Sequence, residues 1–134
     1  MTGRLRVPFV PTPELVVRWM LSVANVQSGE LVYDLGAGDG RILSSAVKDF
    51  DARAIGVELH EPRCEAIAKR IERERLRDSA AVIQADFFNV NLSRADVVAL
   101  YLLTSVNSMI KPKVDRILTR AWSGWVRRRN CIRT

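Results

Sequence analysis

The segment Asp34-Leu35-Gly36-Ala37-Gly38-Asp39-Gly40 puts three of the chain's seven glycines within five residues. It follows a short apolar run, Leu31-Val32-Tyr33, and precedes Ile42, Leu43, Ala46 and Val47, which recur at helical spacing. A strand that breaks into glycines and then enters a helix is the first strand–helix turn of a doubly wound sheet. There the backbone approaches a ligand closely and side chains would obstruct it. A tight turn needing positive φ accounts for one such glycine; three at alternate positions argue for a ligand cradle.

Working outward, strands and helices alternate. Thr12 can cap a helix with Pro13 at its first position, and Leu15, Val16, Trp19, Met20 and Val23 follow the helical period. Ala54–Val57 reads as a second strand. Pro62 opens a long helix with Ile67, Ala68 and Ile71 inward and a charged outer face. Ala81–Ile83 and Val97–Leu103 read as third and fourth strands, and a last helix is expected from about Val106 to Leu118, interrupted by Pro112. Val- and Ile-rich strands separated by helices predict an α/β fold: a doubly wound, Rossmann-like parallel sheet with helices on both faces.

The composition agrees with a folded domain. The chain has 134 residues, 48% of them apolar and 27% charged, which excludes a disordered polypeptide. The longest apolar run, Val97–Leu103, is too short to cross a bilayer, and the N-terminus lacks the apolar core of a secretory signal. Cys64, Cys131 and one histidine form no metal-ligand pattern. These features predict a cytoplasmic protein without a metal or a membrane. The formal charge of +6 is unevenly spread: residues 120–134 hold five arginines and no acid, leaving 16 basic against 15 acidic groups over residues 1–119. Contact with nucleic acid would have to come through that Arg-rich tail. An exposed terminal run with no specific role is the simpler and preferred reading of the tail.

The spacing of the glycines is G-x-G-x-G, which is not the dinucleotide fingerprint G-x-G-x-x-G. Asp34 and Asp39 put two carboxylates around the loop, where a pyrophosphate would meet like charge and a ligand with an ammonium and a sulfonium would be welcome. S-adenosylmethionine has both cations and no phosphate. Glu58 ends the second strand, placed to accept ribose hydroxyls. Asp86 follows the third, where a carboxylate can accept from an adenine amino group beside Phe87. Singly, either acid could be a helix cap or a surface charge.

With these residues noted, the chain resembles the seven-strand (class I) S-adenosylmethionine-dependent methyltransferases, through LVYDLGAGDGRI (31–42), GVELHEPRCEAIAKR (56–70) and QADFF (84–88). Two more segments, VPFVPTPELVVRWML (7–21) and ALYLLTSVNSMIKPKV (99–114), are similar to the archaeal protein lysine methyltransferases, compact relatives of the non-SET histone lysine methyltransferases. The resemblance covers residues 7–118 or so. It implies an enzyme that transfers a methyl group to lysine side chains of a protein substrate. It gives Asp34, Gly36, Gly38 and Asp39 to the methionine end of the cofactor, Glu58 to the ribose, and Asp86 with Phe87 to the adenine. Thr12 falls in the segment that closes over the cofactor, or is simply a helix cap. Tyr101, Thr104 and Asn107 fall along the substrate channel, although Tyr101 could equally be a core aromatic. The chemistry needs an in-line neutral amine and exclusion of water, so no general base is assigned. Leu102-Leu103-Thr104-Ser105 also lacks the Asn-Pro-Pro-Tyr signature of enzymes acting on amide or nucleobase nitrogens.

The C-terminus departs from the family. The resemblance implies a methyltransferase domain over 1–118, C-terminally truncated, and a basic tail over 119–134 with no definite structure. Trp122, Trp125, Val126 and Ile132 alone suit a strand, so Val97–Leu103 is expected as an exposed, association-prone edge. A methyltransferase for a small molecule or RNA, and a catalytically impaired cofactor-binding fragment, are the alternative functions.

Overall fold

The computed structural model describes residues 14–99, 118–122 and 125–128. Helix α1 (Glu14–Val23) precedes strand β1 (Leu31–Leu35), then α2 (Arg41–Phe50), β2 (Arg53–Glu58), α3 (Glu61–Arg73), β3 (Ala80–Gln84) and β4 (Val97–Ala99). The sheet order is β3-β2-β1-β4, all parallel, with β6 (Trp125–Arg128) and β5 (Leu118–Trp122) added antiparallel beyond β4. β1 lies inside the sheet and its last four residues are buried, which is why its sequence reads as an apolar run interrupted by one acid.

Register assigns the faces. Val32 and Asp34 share a face with Val97, Ala99, Ala54 and Gly56; here Val32, Val97, Ala99 and Ala54 pack with Val17, Met20 and Leu21 of α1, Ile42, Leu43 and Ala46 of α2, and Ile67 and Ile71 of α3. The other face buries Tyr33, Leu35, Val57 and Val98 against Leu92 and Ala95. Gly56 is where the first layer comes closest: a Cβ there would lie 2.7 Å from Leu43 Cδ1 and 3.0 Å from Ala37 Cβ.

Some expectations change. In α1 the buried face is Val17, Met20 and Leu21, while Leu15 and Trp19 are 80% and 62% exposed. In α3 Cys64 joins Ile67 and Ile71 inward and Ala68 is exposed. The exposed β4 edge is not found: Val97, Val98 and Ala99 pair with Arg127, Val126 and Trp125. Leu118 begins a strand rather than ending a helix. Trp122 pairs with Trp125, so two residues, Ser123 and Gly124, connect the strands. The reason is that ladder pairing draws on backbone groups, which a basic segment supplies as well as an apolar one, and two residues suffice for a hairpin. The remainder of the expected fourth strand and of the last helix lies outside the described residues.

Candidate functional site

Three adjacent parallel strands bring their carboxyl ends together, and most of the sequence-derived residues lie there. Gly36, Gly38 and Gly40 all have left-handed backbone, with φ of 78°, 62° and 83°. The loop turns back over β2, with the N–H groups of Gly36 and Ala37 donating to Val57 O at 2.8 and 3.1 Å. Turn geometry therefore requires glycine, or a strained residue, at all three positions; the glycine count by itself is not evidence of a ligand.

The acids are better evidence, and each has a different environment. Asp34 is fully buried in β1, and among the described residues its Oδ2 has no hydrogen-bond partner. Burial, followed by the negative charges of Glu58 and Asp39, pushes its carboxyl up to about 7. Glu58, also buried, closes the end of β2. Its Oε1 accepts from Gly38 N–H at 3.1 Å and its Oε2 from His60 N–H at 2.9 Å, so it ties the glycine loop to the next strand end. Each oxygen still has a lone pair for a hydroxyl donor.

Asp39 is committed elsewhere. It forms a forked ion pair with Arg41, with Nη2 to Oδ2 at 2.6 Å and Nε to Oδ1 at 3.1 Å, and it also accepts from Arg41 N–H. Arg70 of α3 lies 3.9 Å from Oδ1 and donates to Asp39 O. Burial raises this carboxyl, but the Arg41 hydrogen bonds and the two guanidinium charges outweigh that and hold it below the ordinary range. Its negative charge is balanced within the protein. Asp86 caps a single 3-10 turn, Phe87–Asn89, its Oδ1 accepting from Phe88 N–H at 3.0 Å. Half-buried Phe87 packs on Phe88 with ring centroids 4.7 Å apart. Thr12, Tyr101, Thr104 and Asn107 lie outside the described residues.

Sequence reasoning missed Arg41, Arg70 and Gly56. Arg41 directly follows the loop, and Arg70 stands four residues before Glu74, to which it is paired at 2.6 Å; either could have been noted as a partner for Asp39. A cleft of about 320 Å³ between the helices, lined by Glu14, Arg18, Arg41, Lys48, Arg70 and Glu74 among others, contains none of the predicted site residues. Its charges are largely satisfied by one another, through Arg18–Asp49, Lys48–Glu74 and Arg70–Glu74. Among the described residues no group of three or more His, Cys, Asp or Glu is placed to hold a metal, and no helix is long and apolar enough to cross a membrane.

An orphaned buried carboxylate oxygen beside a second buried carboxylate fits a cationic ligand without phosphate. Residues 34–122 match the family described as the ANTKMT methyltransferase domain. The chain belongs to that family. The ANTKMT-family domain is similar to a protein-lysine N-methyltransferase of Saccharolobus islandicus, with 47% identity over 113 residues, 84% of this chain and 70% of that protein. It is also similar to the mouse adenine nucleotide translocase lysine N-methyltransferase, with 34% identity over 84% of this chain and 48% of the relative. Among solved structures it resembles an RNA methyltransferase from Salinibacter ruber in complex with S-adenosyl-L-homocysteine, with a TM-score of 0.78 and 38% identity over 80% of this chain and 70% of that one. The domain is thus a class I methyltransferase whose cofactor is S-adenosylmethionine.

Proposed function

We propose that this domain methylates lysine side chains of a protein substrate. The observation that carries the reading is the 47% identity, over 84% of the chain, to the Saccharolobus protein-lysine N-methyltransferase. We assign the cofactor's ammonium to Asp34, its ribose to Glu58, and its adenine to Asp86 and Phe87, with Gly36 and Gly38 forming the wall of the loop. Asp39 acts there by holding the loop through Arg41 and Arg70. Thr12 over the cofactor, and Tyr101, Thr104 and Asn107 along the acceptor channel, belong to the same proposal on sequence grounds alone.

When bound, the cofactor supplies a methyl carbon made electrophilic by its sulfonium. The protein's task is to orient that group, exclude water and admit the acceptor amine in its neutral form. A lysine, ordinarily protonated below about pH 10.4, loses its proton more readily in an apolar channel near a cation. No described residue is assigned as a general base. Asp34 and Glu58, buried within the sheet end, provide negative potential in a low-dielectric setting, where it is strongest. A cytoplasmic setting is part of the proposal and rests on composition.

A second reading is RNA methylation, favoured by the 38% identity to the Salinibacter RNA methyltransferase. Incubation with labelled cofactor and either cell protein or RNA separates the two. Label released by protease and recovered as methyl-lysine is the expected result; label released only by ribonuclease overturns the lysine reading.

A further inference from the structure

Asp34 is the unusual group in this fold. It lies in β1 with Gly56 of β2 on one side and Ala99 of β4 on the other, neither of which can donate from a side chain. Among the described residues its Oδ2 is buried without a partner. The charged groups around it are known. At the end of β2 stands Glu58, whose oxygens already accept from Gly38 and His60 N–H. In the loop stands Asp39, neutralised by Arg41 of α2 and Arg70 of α3. From α3, Cys64 Sγ donates to Glu58 O, and among the described residues the charges acting on Asp34 are the carboxylates of Glu58 and Asp39. Among the described residues β4 presents Val97, Val98 and Ala99.

A bare carboxylate oxygen removed from water, beside a second carboxylate and without a donor, is strongly disfavoured. Such a group is relieved by taking a proton. We infer that Asp34 carries a proton in the cofactor-free protein and releases it when the cofactor's ammonium binds beside it, so that cofactor binding is proton-linked. No bond to carbon is involved: the O–H bond of the carboxyl breaks, the proton passes to buffer, and the carboxylate pairs with the ligand cation. The raised ionisation range of Asp34, about 7, places the exchange near neutral pH. The inference rests on the assignment of Asp34 to the methionine end.

S-adenosylhomocysteine is the appropriate probe, because it retains the ammonium and cannot react. Calorimetric titration of the whole chain at pH 7, in two buffers of different ionisation enthalpy, should report release of about half a proton per ligand bound. Affinity should weaken about tenfold from pH 8 to pH 6. Asp34→Asn should abolish both effects, whereas His60→Gln, which changes the chain's one histidine side chain, should leave both. Infrared difference spectra of the unmodified chain provide a readout independent of any variant: the carbonyl stretch of a protonated carboxyl should disappear on adding ligand. Binding with no proton release and no pH dependence overturns the proton linkage but leaves the site assignment standing. Pairing of the effect with His60 instead of Asp34 also overturns it. Absence of binding at every pH overturns both the linkage and the assignment.

Discussion

Gly56→Ala tests how closely the glycine loop and α2 are seated on the sheet. The new methyl would lie 2.7 Å from Leu43 Cδ1, a distance real Cβ atoms essentially never show, and 3.0 Å from Ala37 Cβ, tighter than nine in ten real contacts. Leu43 is 1% exposed in the core, so its side chain has little room to turn away. Ala37 has no rotamer to change, and its N–H is bonded to Val57 O, so relief there means moving the loop. Overpacking of this kind costs about 1–3 kcal/mol. The substitution regains about 0.5–1 kcal/mol from the lower chain entropy of alanine. With the 2.7 Å overlap placing the overpacking cost in the upper part of its range, about 2–3 kcal/mol, the net loss expected is about 1–2 kcal/mol. For urea unfolding with a slope of about 2 kcal/mol/M, the midpoint should fall by about 0.5–1 M. Because the contact is with Leu43, Gly56→Ala should cost less in a Leu43→Ala background, with a coupling of about 0.5–3 kcal/mol. An unchanged midpoint, or strict additivity of the two substitutions, would falsify the close-packing argument.

Glu74 accepts from Lys48, Ser44 and Arg70, which together outweigh its burial and lower its carboxyl from 4.5 to about 2. Its contribution is therefore present above about pH 4.5 and disappears as pH falls towards 2. Glu74→Gln should lose about 1–2 kcal/mol at pH 7, discounted because Lys48 is half exposed, and should flatten the denaturation profile across that acid window. Glu58→Ala should weaken S-adenosylhomocysteine binding about 10–100-fold by calorimetry; unchanged affinity removes Glu58 from the site. A chain ending at residue 117 loses the hairpin that pairs with β4 and should self-associate in sedimentation. A monomeric shortened chain would show that β4 is protected in some other way.

The parallel core was legible because its signals are local and repeated: apolar strands, a glycine loop, and helices with one apolar face. α1 was not, since ELVVRWMLSV is apolar almost all round and its period fits two faces; burial against α2 and the sheet, not periodicity, selects Val17, Met20 and Leu21 over Leu15 and Trp19. The β5–β6 hairpin was missed because apolarity was taken as the requirement, whereas its pairing to β4 is made by backbone groups. For the acids at the strand ends, position in the fold was legible and state of charge was not. Asp39 looked like a free carboxylate until the fold brought Arg70 from 31 residues away to its carbonyl oxygen. Asp34 looked equivalent to it, and only burial shows that it is not.

That difference alters the argument for ligand choice. Read from sequence, two loop aspartates oppose a pyrophosphate. In the fold Asp39 is balanced by Arg41 and Arg70, so it repels a phosphate little, and Arg41, as the first residue of α2, even adds positive charge at a helix N-terminus. Under the proposed assignment the selectivity therefore rests on Asp34 and Glu58, both buried and both on the β1 and β2 strand ends. It should consequently depend on removing those charges and be insensitive to Asp39. In a thermal-shift comparison S-adenosylhomocysteine should protect the unmodified chain and NADH should not. Asp39→Asn should keep that order even if it lowers the baseline melting temperature, because the variant loses the carboxylate fork to Arg41 and one of the two carboxylates beside Arg70, which loosens the loop. Asp34→Asn combined with Glu58→Gln should abolish the protection. If instead Asp39→Asn alone admits NADH, the arginines do not neutralise Asp39 in solution, and the simpler sequence-level account of two opposing loop charges is the correct one.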